Sequence, residues 1–195
     1  MTLLAPCTTH VLMHDSLYRL TNEAYAIVED GSTGSKFKKG PRLSSPTEGK
    51  LFAGYQEGRI FKVTDLESGK IVGMTYWEVT SQDTLYFGPF AVSPDFQGRK
   101  VGTLMLAEVE RIARERKLIG IDINVVHLRP NLVSWYKDQG YVQTGTSPYP
   151  VDDLHNTTQP VHFIEMRRLL HYDKGTIRDY VLATAVEEDA GEIMK

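Results

Sequence analysis

The chain has 195 residues, 41% of them hydrophobic, and 22 Lys and Arg against 25 Asp and Glu give a formal net charge of −3. That length suits one domain, or one domain with a tail, with a core that needs no metal or disulfide staple; the single Cys7 excludes an internal disulfide. The charge gives no reason to expect nucleic acid or an anionic membrane as partner, and no stretch approaches the ~20 apolar residues of a spanning helix.

The opening residues lack a basic segment, and Thr8, Thr9 and His10 break their apolar run, which makes a poor secretory signal. The expectation is a cytoplasmic protein. Asp15 or Ser16 caps a first helix to about Val28, with Leu17, Leu20, Ala24 and Ile27 on one side. Gly31 to Gly40 reads as a loop carrying a basic cluster, Lys36, Lys38, Lys39 and Arg42. Ser45-Pro46-Thr47-Glu48 has the form of a capping box before a short helix that ends near Gly54 or Gly58.

Three strands follow, Arg59–Leu66, Lys70–Thr80 and Thr84–Val92. The short connections Glu67-Ser68-Gly69 and Gln82-Asp83 make them an antiparallel meander. Next comes a helix from Gly98 to about Lys117, with Val101, Met105, Val109 and Ile112 toward the sheet. Leu118–Val126 is a compact apolar strand of parallel type, so strand, helix and strand form one crossover. Asn131–Gln139 is a helix stopped by Gly140, and Tyr141–Thr146 and Val161–Leu169 are the last strands. The polar, Pro-kinked stretch Ser147–Pro160 is a loop. The division expected is a domain over residues 1–170 and a tail over 171–195 that docks as a helix or frays. No internal repeat is visible.

The junction Phe90-Ala91-Val92-Ser93-Pro94-Asp95-Phe96-Gln97-Gly98-Arg99-Lys100-Val101-Gly102-Thr103 runs from an apolar strand through a Pro-marked turn into a helix. Unpaired N–H groups and the positive end of a helix dipole converge there, which suits an anion. Neither a P-loop nor a Gly-x-Gly-x-x-Gly dinucleotide turn has the right spacing. Scattered His residues, among them His10 and His14, lack a third ligand for zinc.

Gln97-Gly98-Arg99-Lys100-Val101-Gly102 instead resembles the Arg/Gln-x-x-Gly-x-Gly/Ala signature of the GNAT acetyltransferases, and Leu128 to Tyr141 resembles that family's later helix, which ends in Tyr, three residues, then Gly-Phe or Gly-Tyr. The resemblance spans roughly Leu17 to Leu169. It implies a mixed α/β fold: a mostly antiparallel sheet flanked by helices, with a parallel strand-helix-strand unit at the cofactor cleft. It implies acetyl-CoA as co-substrate, no metal, and transfer of acetyl to an amine by direct attack through a tetrahedral intermediate.

On that resemblance the diphosphate lies on the N–H groups of Gly98, Arg99, Lys100, Val101, Gly102 and Thr103, after Gln97. The pantetheine arm pairs with the strand at Phe90, Ala91 and Val92, whose N–H also polarises the thioester carbonyl. Arg99 and Lys100 add charge, or are surface residues. Pro89 marks a bulge that parts two strands. Lys100 stands where the family has its first Gly. Because Gly102 is retained, the backbone at Lys100 is read as helical. Tyr136 matches the general acid that protonates the departing sulfur, and Trp135 is taken as the core member of that pair. Glu78 is the nearest candidate base, or an outward polar residue; a water chain to bulk serves equally. Asn131 binds CoA or caps its helix.

The acceptor is expected to be a small-molecule amine lying between the first two helices and the 147–160 loop, with Tyr55, Tyr149, Asp152, Asp153 and His155 as possible contacts. A protein lysine or N-terminus is the alternative within the same chemistry, and a non-catalytic acyl-CoA-binding module the alternative outside it. A homodimer is left open.

Overall fold

The computed structural model describes residues 3–6, 11–29, 49–80, 82–149 and 160–171. Its strands are β1 (Leu3–Pro6), β2 (Ile60–Thr64), β3 (Ile71–Val79), β4 (Thr84–Val92), β5 (Gly120–Val126), β6 (Val142–Pro148) and β7 (His162–Leu169). Its helices are α1 (Val11–Glu29), α2 (Gly49–Gln56), α3 (Val101–Glu115) and α4 (Pro130–Asp138). The strands form one sheet in the order β1-β2-β3-β4-β5-β7-β6. Every neighbouring pair is antiparallel except β4 and β5, which run parallel around α3. This is the mixed, mostly antiparallel α/β architecture that the resemblance implies.

The meander follows from its turns. In the β2–β3 turn Asp65 Oδ2 accepts from the main-chain N–H of Ser68 at 3.0 Å and from its hydroxyl at 2.5 Å. Gly69 supplies the positive φ of 68° that closes the turn. The short β1 strand, paired with β2 over four residues, is an element the sequence reading lacked. Helix α1 also starts at Val11, ahead of the expected cap. The capping-box segment, the basic cluster, Asp152, Asp153, His155 and the tail beyond 171 lie outside the described residues.

Side chains alternate across the sheet and build two cores. Phe61, Val63, Leu85 and Phe87 pack with Met105, Leu106, Val109 and Ile112 of α3 and with Val133 and Tyr136 of α4. Ile60, Met74, Tyr76 and Ala91 pack on the opposite face with Leu17, Leu20 and Ala24 of α1 and Leu51 of α2. The expected α3 stripe is therefore core at Met105, Val109 and Ile112, while Val101 at its start is half-buried.

The bulge expected at Pro89 is present. Thr75 pairs with Phe90 but Trp77 with Phe87, so two residues of β4, Gly88 and Pro89, face one of β3. One extra residue reverses the alternation downstream. Phe87 and Phe90, three apart, thus join the same core, with their rings 5.4 Å apart edge to face.

Candidate active site: a cleft where two parallel strands part

Strands β4 and β5 pair only from Thr84–Tyr86 to Gly120–Asp122. A polar clamp closes that end. Asp122 accepts from Thr84 Oγ1 at 2.6 Å and from Arg167 Nε and Nη2 at 2.6 and 2.9 Å, tying β4, β5 and β7 together. Beyond the clamp β4 and β5 pair no further, and a cleft of about 800 Å³ opens between them. Its walls are the second half of β4, the second half of β5, the first turn of α3 and the inner face of α4, with Ala24 and Tyr25 of α1 at one side. Since β4 has no partner there on its β5 side, alternate main-chain groups from Phe87 to Val92 are open to an added extended chain.

The α3 end of the cleft is a glycine-containing turn into an uncapped helix start, a geometry that suits an anion. After a 3-10 turn at Pro94–Phe96, Gly98 has a φ of +74° and nothing within 4 Å of an ideal Cβ. Lys100, the N-cap, has φ 63° and ψ 13°, and no side chain caps the helix. The helical backbone expected at Lys100 is thus corrected. The chain enters α3 through two residues of positive φ, Gly98 and Lys100. A left-handed non-Gly residue costs roughly 1–2 kcal/mol. The first intrahelical bond runs from Leu104 N–H to Lys100 O at 3.0 Å. Val101, Gly102 and Thr103 therefore keep free N–H donors within the helix, and all three line the cleft. An uncapped helix start beside an open strand edge fits two parts of a CoA molecule, an anionic diphosphate and an amide chain.

Of the residues expected at the cofactor, Phe90, Val92, Gln97, Gly98, Lys100, Val101, Gly102, Thr103, Asn131 and Tyr136 line the cleft. Ala91 turns its side chain into the α1/α2 core, 1% exposed, which leaves only its main chain for a ligand. Arg99 stacks its guanidinium 4.9 Å from the Phe96 ring centroid and is not part of the lining. Asn131 does not cap α4: the N-cap is Arg129, Pro130 opens the helix, and Asn131 in the first turn is exposed on the cleft.

The adjacent aromatic residues of α4 exchange the burial expected of them. Tyr136 is 4% exposed within the α3/α4 core, while Trp135 is half-buried against its edge. Tyr136 belongs to the core and the cleft at once: its ring packs on Phe87, Phe90 and Tyr141. Burial pushes the Tyr136 phenol well above its ordinary range, with neighbouring tyrosines adding to the effect and Arg129 opposing it. The hydroxyl is therefore protonated at neutral pH and able to donate.

Glu78 is not among the residues that line the cleft. Its carboxylate pairs with Lys50, lies 3.8 Å from Arg59 Nη1, and accepts the Tyr76 hydroxyl at 2.7 Å. Burial alone would raise its proton affinity, but the bonds from Lys50 and Tyr76 and the two cations win and hold it below the ordinary carboxylate value. Burial and the bond to Glu78 push Tyr76 up to about 12. Glu78 thus ties α2 to β3.

The cleft also gathers residues that the sequence reading passed over: Tyr25 of α1, Tyr86 of β4 and Arg129 at the start of α4. Burial, then Tyr25 and Glu78, push Tyr86 up to about 12. Only the packing of α1 across β4 brings these three together, so no local pattern marks them. Tyr55 packs against the α1/α2 core, and Tyr149 is buried with Val126, Val161 and Phe163. Neither lines the cleft. Among the described residues no group of three or more His, Cys, Asp or Glu could hold a metal ion, and no helix is long and apolar enough to cross a membrane.

Comparison with known proteins agrees with this geometry. The fold is similar to the ribosomal-protein-S18-alanine N-acetyltransferase from Escherichia coli, with TM-score 0.63, 18% identity, and 90% of this chain and 99% of that chain covered. It is similar to the PaiA N-acetyltransferase from Thermoplasma acidophilum, solved with coenzyme A: TM-score 0.64, 10% identity, 87% and 99% covered. It is also similar to the IAA acetyltransferase from Bacillus cereus, with TM-score 0.61, 12% identity, and 87% and 100% covered. At these identities the likeness is one of fold. No curated protein sequence matches the chain. The sequence itself matches the acetyltransferase (GNAT) family over residues 16–141, more than half of its length, from within α1 through α4; the chain belongs to that family and is an acetyl-CoA-dependent acetyltransferase.

Proposed function

We propose that this enzyme moves the acetyl group of acetyl-CoA to the primary amine of a small molecule. The observation that carries the reading is the parting of β4 from β5 between the uncapped start of α3 and the buried hydroxyl of Tyr136. The N–H groups of Val101, Gly102 and Thr103 hold the diphosphate, with Lys100 adding charge. Main-chain groups of Phe90, Ala91 and Val92 pair with the pantetheine amides, and one N–H there polarises the thioester carbonyl. Bound acetyl-CoA supplies the activated acyl group. As the new C–N bond forms and the C–S bond breaks, Tyr136 gives its proton to the sulfur. The amine's proton leaves through water, because Glu78 is engaged by Lys50 and Arg59 and does not line the cleft.

A compact acceptor is favoured because Arg129 and Tyr25 meet on the side of the cleft toward α1: the Arg129 guanidinium lies 5.3 Å from the centroid of the Tyr25 ring. An extended polypeptide needs an open groove there. The test is CoA-thiol release across small amines and lysine or N-terminal peptides. Turnover of small amines supports the proposal. Turnover of peptides alone assigns a protein acceptor, and CoA binding with no acceptor-dependent release assigns a binding module.

A further inference from the structure

Tyr86 is the last residue of β4 that pairs with β5, and the bulge at Gly88 and Pro89 follows it. Its ring lies on the α1/α2 side of the sheet. Its neighbours Leu85 and Phe87 pack in the α3/α4 core. Glu78 of β3 stands opposite it in register, and Lys50 Nζ of α2 lies 5.6 Å from its ring centroid. From there the side chain leans along the strand over the bulge: its hydroxyl is 3.5 Å from the place a Cβ would take at Gly88. Tyr86 and Gly88 both line the cleft. Tyr136 borders the same cleft from the α3/α4 side, packed on Phe87 and Phe90. Two phenols thus flank the gap between β4 and β5 from opposite sides of the sheet.

We infer that the acceptor amine reaches the gap from the α1/α2 side and that the Tyr86 hydroxyl accepts a hydrogen bond from its N–H, holding the nitrogen against the thioester carbon. This rests on the transfer to an amine read above and holds whatever the size of the acceptor. A thioester carbonyl that accepts from a β4 N–H lies in the plane of the sheet, as a ladder carbonyl does. Its two faces then look out to the two sides of the sheet, and a nucleophile adds to one of those faces. Tyr136 comes from the α3/α4 side to protonate the sulfur, which leaves the α1/α2 side to the nitrogen. Burial pushes the Tyr86 phenol up to about 12, so it stays neutral and accepts through an oxygen lone pair. The proton count closes on that arrangement. A primary amine has two N–H bonds: one proton leaves to water, and the N–H held by Tyr86 is the one kept in the amide product.

The test is calorimetry with three probes: CoA, S-hexyl-CoA, and the N-propyl amide of S-carboxymethyl-CoA. The last places an amine-derived N–H beyond the sulfur. Tyr86→Phe keeps the ring and its contact with Lys50. It should weaken the amide probe about five- to tenfold, the order of one hydrogen bond, and leave CoA and S-hexyl-CoA within twofold of wild type. For every amine or peptide that turns over, the acceptor KM should rise by a similar factor while the acetyl-CoA KM holds. An unchanged amide probe, or an equal loss for all three probes, overturns the inference, since a merely structural role would move them together. A selective loss of the amide probe in a protein that releases no thiol with any amine or peptide supports the Tyr86 contact and overturns the transfer reading, so the two failures are distinct.

Discussion

The Tyr136 ring meets the Phe90 ring edge to face, with centroids 6.4 Å apart, so helix α4 and strand β4 touch across the inner end of the cleft. A phenylalanine at 136 keeps that contact and removes only the hydroxyl. Tyr136→Phe should therefore fold normally and bind acetyl-CoA within a few-fold of wild type. Its maximal rate should fall roughly 10²–10⁴-fold, the span of proton-transfer catalysis. Steady-state kinetics with calorimetry for the cofactor would check this; an unchanged rate removes Tyr136 from the acid role. Because burial raises the phenol's pKa, the wild-type rate should show no loss from deprotonation of Tyr136 between pH 7 and about 9.

Two glycines make opposite predictions. At Gly102 a Cβ would meet Trp135 and Phe90 side chains at 3.5–3.6 Å, ordinary contact. Gly102→Ala should be nearly neutral for stability. Gly102→Trp should fold yet fill the space at the helix start and lower CoA affinity by about 100-fold or more, as expected when several charge-assisted bonds are lost. At Gly54 a Cβ would lie 2.2 Å from the buried Tyr76 ring, whose hydroxyl is held by Glu78. Overpacking of about 1–3 kcal/mol there exceeds the helix-propensity gain of about 1 kcal/mol. Gly54→Ala should lose about 1 kcal/mol net, read by urea unfolding.

Lys100 holds a left-handed conformation in α3's N-cap. In Lys100→Gly the relief of roughly 1–2 kcal/mol is set against a denatured-state entropy cost of about 0.4–1 kcal/mol. The unliganded protein should gain roughly 0.5–1 kcal/mol in urea unfolding. CoA affinity should fall and become less salt-dependent, since one cation near the diphosphate is gone. A loss of stability would contradict the strain at this position.

Glu78 gives a pH prediction. Its folded-state pKa lies below the ordinary value, so its stabilising contribution is complete above the unfolded carboxylate pKa, about 4.3. That contribution is lost as pH falls through the lower folded value. Glu78→Gln should melt about 2–4 °C lower than wild type at pH 7, for a loss of roughly 1 kcal/mol. The gap should narrow as pH falls below the ordinary carboxylate range. A gap that persists there would show that packing, not charge, carries the effect.

Much of this molecule was legible along the chain because the forces involved are local. Asp65-Leu66-Glu67-Ser68-Gly69 closes a turn from its own side chains, so the β2–β3 pairing follows from five residues. The α3 stripe declares its buried face by helical spacing. Pro89 announces the bulge, because a residue without an N–H cannot serve a central ladder. The β1 strand had no such signal: four residues become a strand only when β2 lies beside them. Lys100 misled because its φ is imposed by the path from Gly98 into α3, against its own preference.

Sequence by itself determined the order of elements, the meander, the crossover and the glycine turn that resembles the acetyltransferase signature, since each depends on residues close together in the chain. Tertiary structure alone decided that β4 and β5 separate beyond the Asp122 clamp, that Tyr136 rather than Trp135 is the buried ring, and that Tyr25, Tyr86 and Arg129 converge on one cleft. Those outcomes depend on how α1 and α4 pack across the sheet, and contacts among residues as far apart in the chain as Thr84 and Asp122, or Tyr25 and Arg129, leave no periodic trace in the sequence.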